Sequence, residues 1–386
     1  MPTTWLPLAL MAVADGTSNL IEPLWRPHGS TPLHLSISAF MDGDRCATTL
    51  QFALENARRP ERLSFGVLQA RGEKDQDCIR GFEDKRLPAL CETLARQHEA
   101  YASDCTSAVM SQIRSKVIAP EDAKGPNHQR SLQIELIEFD KMDKMCMQTD
   151  SHMDFLQGWD ELLMDDWLSK QNEFAVLTAY VMNIDAKEHG YAYNHMVDCC
   201  GWFEDEDGMP RGNQCGNIDH IAEPILTPNW AAGFSFHRCH AERNVPIDPN
   251  LEWIFTGEEV DRAARLWTSG YDLYLPSRAF VLHNYSHATQ RFWRFSRPGE
   301  MRQQSEASRL KLSLLLGLGA PRKLTLRNMR HYYPLGQQRS LEQWKEFVKP
   351  TYNKDEECHR LGLERVPVRD RDLLEESARH PNAHEL

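Results

Sequence analysis

The chain has 386 residues, of which 41% are hydrophobic and 26% charged, and its formal net charge is −12. These values are typical of a soluble globular enzyme with one large α/β domain or two small ones. The negative charge argues against a nonspecific nucleic-acid binder, which needs a basic surface to neutralise phosphates, but it allows a nucleotide site in a cleft.

Residues 1–29 are interpreted as an N-terminal extension, because proline and glycine interrupt them without a clear period. The apolar segment 5–14 is shorter than the ~20 residues that a transmembrane helix needs, so no transmembrane segment is predicted. We interpret this segment as a tail or a surface-docking element. The alternative is a signal peptide, which would direct the protein to the secretory pathway.

The ten cysteines of the sequence form no CxxC pair, and Cys199 and Cys200 are adjacent to each other. This pattern is neither that of a zinc ribbon nor that of a small disulfide-stapled domain. We therefore expect mostly buried free thiols, which suit a reducing compartment, and we predict a cytoplasmic protein.

The ordered part of the chain begins at Leu33, because residues 34–40 alternate and are rich in β-forming side chains. Helical spacing over residues 46–57 and a second strand at residues 63–69 follow. This β-turn-α-β opening favours a parallel sheet. Residues 71–112 are polar and are predicted to pack on the outside.

Strands and helices continue to alternate along the rest of the chain. The predicted strands are 112–118, 144–149, 174–180, 231–236, 271–275 and 279–283, and the predicted helices are 127–136, 159–168 and 258–269. Residues 186–222 are rich in loops and residues 300–348 are mostly helical. This alternation predicts an α/β fold with a mostly parallel, Rossmann-like sheet flanked by helices, in one domain over 30–348 with a polar tail over 349–386.

Asp150-Ser151-His152 directly follows the apolar strand 144–149. Ligands of open α/β sheets gather at the carboxyl ends of strands, and an Asp and a His two residues apart can face one ion there. A carboxylate with an imidazole suits Mn²⁺ better than Mg²⁺, and such an ion would bridge the phosphates of a nucleotide sugar. The alternative is that Asp150 caps the next helix and that His152 is exposed.

A Gly-Pro turn is a candidate anion site. Lys124-Gly125-Pro126 opens a helix whose first N–H groups favour an anion, and Arg130 adds positive charge. The alternative is an ordinary capped helix with solvated basic side chains.

Glu258 and Glu259 open an amphipathic helix, and His283 ends a short strand. One glutamate could orient an acceptor hydroxyl while the other holds a sugar, or both could cap the helix. His283 either completes the metal site or is structural.

Seven motifs occur in a fixed order over most of residues 33–348. They are S-x-S-A-F-x-D (36–42), A-K-G-P-x-x-x-R (123–130), Q-x-D-S-H-M-x-F-x-x-G-W-D (148–160), A-G-F-x-F (232–236), V-P-x-D-P-N-L (245–251), F-x-G-E-E-x-x-x-A-A-R-L-W-x-x-G-Y-D (255–272) and P-L-G-x-x-R-S-L-E-Q-W (334–344). Together they resemble the Skp1-type hydroxyproline N-acetylglucosaminyltransferase family. The Q-x-D-S-H and G-E-E blocks are the most specific.

The resemblance implies a GT-A glycosyltransferase fold and a metal-dependent, retaining transfer of N-acetylglucosamine from UDP-GlcNAc to hydroxyproline in a Skp1-like protein. Mn²⁺ is the implied ion, with Mg²⁺ as the alternative, and the departing diphosphate would take the acceptor proton. The implied residues are Asp150, His152 and His283 for the metal, Ser38, Phe40 and Asp42 for uracil and ribose, Lys124, Gly125 and Arg130 for the nucleotide, Glu258 and Glu259 together with Asp150 for catalysis, and Trp159 and Asp160 as support for the metal loop.

The chain departs from the family's pattern in several places. Phe40-Met41 stands where the family usually has Tyr-Arg, and Gln129 stands where it has Ala. Segments 71–112 and 199–215 are longer than the pattern needs and lie where an acceptor could bind. The alternatives are therefore another UDP-sugar such as UDP-galactose, another acceptor, or a catalytically silent nucleotide-sugar-binding protein.

Overall fold

The structure is a computed structural model, and it describes part of the chain. The described residues are 31–139, 144–187, 195–197, 200–204, 210–213, 216–218, 221–286, 294, 298–318, 332–348 and 367–369. The predicted N-terminal extension and nearly all of the predicted C-terminal tail lie outside these residues, so both stay predictions.

The helices and strands alternate along the chain as expected for an α/β fold. The strands are β1 (Leu33–Phe40), β2 (Leu63–Ala70), β3 (Ile113–Ile118), β4 (Met145–Asp150), β5 (Met153–Phe155), β6 (Ala175–Thr178), β7 (His195–Val197), β8 (Cys200–Glu204), β9 (Pro210–Asn213), β10 (Gly216–Ile218), β11 (Ile225–Leu226), β12 (Phe234–Arg238), β13 (Asp272–Leu275) and β14 (Val281–His283). The α-helices are α1 (Gly43–Glu55), α2 (Cys78–Lys85), α3 (Leu87–Gln97), α4 (Cys105–Ser111), α5 (Pro126–Ser131), α6 (Trp159–Ser169), α7 (His240–Asn244), α8 (Glu258–Thr268), α9 (Pro298–Leu315) and α10 (Leu341–Val348).

Eight strands form the central sheet, in the order β11-β13-β6-β12-β4-β1-β2-β3. Strands β1, β2, β3 and β4 pair in parallel, as do β6 and β13, whereas β12 runs antiparallel to both β4 and β6. The predicted α/β fold with a mostly parallel sheet flanked by helices is confirmed. Strand β1 lies between β4 and β2, and both of its faces are covered, because Leu33, Leu35 and Ile37 on one face and His34 and Ser36 on the other are all buried.

The predicted outer segment 71–112 is polar, but it folds into three helices, α2, α3 and α4. Asp77 accepts the N–H of Arg80 and Asp104 accepts the N–H of Ser107, so each aspartate caps a helix. Such caps are the local signal for these helix starts. The predicted helix 127–136 is α-helical only to Ser131 and continues as a 3₁₀ turn, and residues 332–340 interrupt the predicted helical region 300–348.

Six cysteines form disulfides, so the expectation of free thiols was wrong for them. The bridges are Cys46–Cys78, Cys91–Cys105 and Cys146–Cys239. The last pair shows why spacing in the sequence failed, since β4 and β12 bring together two cysteines that are 93 residues apart. Among the described residues, no helix is both long and apolar enough to cross a membrane.

Candidate active site

The candidate site lies where β1 and β4 end at the carboxyl edge of the sheet. Asp150 is the last residue of β4, and its partner in the register of β1 is Ser38. Ser38 and Phe40 are partly exposed at this edge, as expected for residues that could face a ligand. This is the position at which open α/β sheets bind ligands.

Asp150, His152 and His283 converge at this edge. One ligand atom of each lies within 4.8 Å of the other two. Strand β5 follows the Asp150–His152 turn and pairs with β14, which places His283 opposite Met153 and brings the two imidazole centroids to 4.5 Å. One carboxylate and two imidazoles form a ligand set that suits Mn²⁺, whereas Mg²⁺ and Ca²⁺ prefer sites with oxygen ligands alone.

Arg130 links Asp150 to Glu258 at the start of α8. Its guanidinium donates to Asp150 Oδ1 at 2.8 Å and to Glu258 Oε1 at 2.6 Å, and its side chain is only 10% exposed. Burial alone would raise the pKa of Asp150, but Arg130 and His283 hold this pKa well below its ordinary value. Asp150 is therefore ionised and suited to a cation. The pKa of Glu258 is raised, because burial outweighs the attraction of Arg130.

Glu259 points to a different part of the site than Glu258. It accepts the backbone N–H of Ala232 at 3.0 Å and the hydroxyl of Tyr180. Burial raises the pKa of Glu259 to about 7, although both hydrogen bonds favour the charged form. The two adjacent glutamates thus have different partners, and Tyr180 is a site residue that the sequence analysis missed.

Lys124 and Gly125 form a tight turn before α5, with φ angles of 48° and 91°. Lys124 Nζ pairs with Glu252 at 2.6 Å, and the Lys124 carbonyl accepts the N–H of Trp253. A role for Lys124 at a diphosphate would require it to leave Glu252.

Asp42 faces the metal triad. Its Oδ2 lies 2.8 Å from Nδ1 of His152, and its Oδ1 accepts from Arg45 Nε at 2.8 Å. Burial would raise the pKa of Asp42, but His152 and Arg45 lower it. The contact of Asp42 with uracil or ribose stays a prediction, and the structure shows its carboxylate against His152, Ser151 and Arg45.

Asp160 supports a different turn from the one predicted for it. It is fully buried and accepts the N–H groups of Arg58 and Arg59 and one guanidinium N–H of Arg62. Trp159 packs on Phe155 of β5, with ring centroids 4.7 Å apart. Trp159 therefore contacts β5, which follows the Asp150–His152 turn, whereas these hydrogen bonds of Asp160 go to residues 58–62.

The family model for glycosyltransferase (GlcNAc) matches residues 33–353 of the chain. A search of curated protein sequences with this chain found no match. Similar solved structures include GalNAc-T7 with UDP, GalNAc and Mn²⁺, which has 14% identity and a TM-score of 0.42 over 86% of this chain. The chain spans 57% of the GalNAc-T7 chain.

Two further similar structures are microbial. The mannosyltransferase PcManGT from Pyrobaculum calidifontis with GDP-Man and Mn²⁺ has 8% identity and a TM-score of 0.41, over 92% of this chain and 82% of its own. S. aureus TarS with UDP-GlcNAc has 9% identity and a TM-score of 0.41, over 74% of this chain and 71% of its own.

Proposed function

This chain belongs to the glycosyltransferase (GlcNAc) family, and on that premise we propose that it transfers N-acetylglucosamine from UDP-GlcNAc to a protein hydroxyl, with retention and with Mn²⁺. The observation that carries this proposal is the convergence of Asp150, His152 and His283 at the carboxyl edge of the sheet. Hydroxyproline in a Skp1-like protein is the acceptor that the sequence motifs support.

The three side chains would hold the ion, and Arg130 keeps the Asp150 carboxylate charged and in place. When bound, a divalent cation would neutralise the charge on the departing diphosphate. Electrostatic stabilisation of this kind is commonly the largest contribution to catalysis. Mg²⁺ is the weaker candidate, because two of the three ligands are imidazoles.

The glutamates at the start of α8 position groups and do not act as nucleophiles. Glu258 is held by Arg130, and Glu259 is held by Tyr180 and the N–H of Ala232. In a retaining transfer the acceptor approaches on the face of the leaving group, whose phosphate can take the proton. A separate strong base is then not required.

A second candidate has the same chemistry with a different acceptor, a protein of the secretory pathway. Three disulfides favour it, because disulfides persist in oxidising compartments and are rare in the cytosol. A different donor, such as UDP-galactose, belongs to the same alternative.

The test measures UDP release with Mn²⁺ from UDP-GlcNAc, UDP-GalNAc and UDP-galactose in the absence of acceptor, for the wild type, Asp150→Ala and Asp154→Ala. Asp154 is the matched control, because it lies on β5 two residues after His152 but pairs with the exposed Lys187. Release from UDP-GlcNAc that vanishes only in Asp150→Ala supports the proposal. Equal release by the wild type and both variants would contradict the metal assignment.

Acceptor identity needs a separate experiment. Peptides that carry hydroxyproline are compared with peptides that carry serine or threonine, and the product is identified by mass spectrometry. Transfer only to hydroxyproline supports the Skp1-like acceptor, and transfer only to serine or threonine supports the second candidate. Binding of Mn²⁺ and UDP without release or transfer would mean a binding protein.

A further inference from the structure

Asp42 occupies the position before the first residue of α1, where an aspartate ordinarily accepts an N–H group of the first helical turn. Its carboxylate makes no such capping bond, although its carbonyl accepts the N–H of Cys46. The carboxylate is turned instead to His152, Ser151 and Arg45. An aspartate that served only the start of the helix would be expected to make such a capping bond.

The contact with His152 fixes the protonation of its ring. A carboxylate accepts hydrogen bonds and does not donate them, so the Nδ1 atom that lies 2.8 Å from Asp42 Oδ2 carries the proton. The lone pair of Nε2 is then left for an ion. His283 has no equivalent support, since its Nδ1 is buried without a hydrogen-bond partner among the described residues.

Arg45 connects Asp42 to the segment that follows His283. Its Nε donates to Asp42, and its NH1 group donates to the carbonyls of Asn284 at 3.4 Å and Ser286 at 3.1 Å. These carbonyls belong to the residues one and three positions after His283 in the chain. One guanidinium therefore joins the carboxylate beneath His152 to the segment that carries His283.

The rest of α1 holds the same loop. Thr49 is fully buried and donates to the carbonyl of Ser151 at 2.9 Å, and it accepts the N–H of Met153. The disulfide Cys46–Cys78 fixes the residue that follows Arg45. The start of α1 is therefore built as a rigid support for the Asp150–His152 turn.

We propose that Asp42 and Arg45 are a positioning pair for the metal site, in which Asp42 orients His152 and Arg45 ties Asp42 to the segment after His283. This inference rests on the proposed function, because it assumes that the triad binds a cation. It assigns Asp42 to the support of the ion and not to uracil or ribose. Removal of such a supporting carboxylate typically weakens metal binding by about 10–100-fold.

The test measures the dissociation constant of Mn²⁺ alone by electron paramagnetic resonance, on the full chain without nucleotide. We expect Asp42→Asn and Arg45→Met to raise this constant by about 10–100-fold. Asp44→Asn is the matched control, because Asp44 lies in the first turn of α1 but is exposed and pairs with Arg86, and it should leave the constant unchanged. Thermal melting in EDTA verifies that each variant is folded. If Asp42→Asn does not fold, the result for Arg45→Met tests the inference.

A double-mutant cycle separates positioning from a general structural effect. If Asp42 acts through His152, Asp42→Asn has no further effect on Mn²⁺ binding in a His152→Ala background. UDP binding in EDTA should be the same in Asp42→Asn and the wild type.

Three results would each overturn this inference without affecting the proposed metal site. They are wild-type Mn²⁺ affinity in a folded Asp42→Asn variant, an equal added loss of affinity in the His152→Ala background, and weakened UDP binding in EDTA. A wild type that binds no Mn²⁺, with or without UDP, would overturn the proposed metal site and this inference with it.

Discussion

At the scale of single residues, buried carboxylates set the electrostatics of the candidate site. Asp150 and Glu258 share the Arg130 guanidinium, yet the pKa of Asp150 is lowered and that of Glu258 is raised. His283 and His152 favour the charged form of Asp150, whereas Glu258 also feels the negative charge of Asp150. One guanidinium thus contacts two acids whose pKa values are displaced in opposite directions.

Removal of this cation should destabilise the fold. Arg130→Met leaves two buried carboxylates without their partner, so we expect the free energy of unfolding in urea to fall by about 3–5 kcal/mol at neutral pH. Arg114→Met is the control, because Arg114 and Glu138 are both about half exposed, and it should change stability by less than ~1 kcal/mol. Similar losses in the two variants would contradict a buried Arg130 bridge.

Glu259 should make stability depend on pH. Its pKa rises from the ordinary 4.5 to about 7 in the folded state because of burial. Between these values the folded state binds more protons than the unfolded state, so the free energy of unfolding falls as pH rises. The penalty is absent below about pH 4.5 and complete above about pH 7.

Glu259→Gln should remove this fall. We expect the stability of the variant relative to the wild type to increase between about pH 4.5 and pH 8 by an amount on the order of 3 kcal/mol, measured by urea unfolding. Glu135→Gln, which removes an exposed glutamate that pairs with Lys116, is the control. Parallel pH profiles for the wild type and Glu259→Gln would show that Glu259 titrates normally.

At the scale of elements, the position of α8 depends on residues 335–340, which pack against its C-terminal end. Residues 335–340 cover the C-terminal end of α8, where the N–H of Gly336 donates to Thr268 Oγ1 at 2.9 Å. The buried Arg339 donates to the carbonyls of Trp267 and Tyr271 and pairs with Asp272. Glu258 and Glu259 lie at the N-terminal end of this helix. The P-L-G-x-x-R motif at its C-terminal end therefore helps to fix the position of both glutamates.

A side chain at Gly336 should disturb this contact. A Cβ atom there would lie 2.3 Å from the backbone nitrogen of Ser269, which cannot move without shifting the end of α8. We expect Gly336→Ala to lower the free energy of unfolding by about 1–3 kcal/mol or more, and to reduce UDP release. Gly299→Ala is the control, because a Cβ atom there meets nothing within 4 Å. A fully stable Gly336→Ala protein would contradict the docking of this segment.

At the scale of the whole molecule, three disulfides add covalent links between elements of the fold. Cys46–Cys78 links α1 to α2, Cys91–Cys105 links α3 to α4, and Cys146–Cys239 links β4 to the end of β12. Bridges that close longer loops restrict the unfolded chain more. The bridge of β4 should therefore contribute most.

Paired Cys→Ala substitutions test this order under non-reducing conditions. We expect loss of Cys146–Cys239 to cost roughly 4–5 kcal/mol and loss of Cys91–Cys105 roughly 3 kcal/mol in free energy of unfolding, because their sequence separations are 93 and 14. In the unreduced, denatured wild type these cysteines should resist alkylation. Labelling of all ten cysteines without reduction would show that the protein is made with free thiols.

Local signals in the sequence were sufficient to predict most of the sheet and the elements that carry the candidate site residues. The alternating, β-rich run before Phe40 predicted β1, and the apolar run before Asp150 predicted β4. The acidic start at Glu258 and the glycine after Ser269 predicted both ends of α8. These signals work because side-chain periodicity and capping act over a few residues.

The tertiary structure alone decided which distant residues meet. The order of strands places Cys239 beside Cys146, and the β5–β14 pair places His283, 133 residues along the chain, against Asp150. The packing of α1 brings Asp42 to His152, so its carboxylate contacts that imidazole and does not cap the helix. No local pattern encodes these contacts, because the pairing of strands far apart in the chain depends on the free energy of the whole sheet and its covering helices.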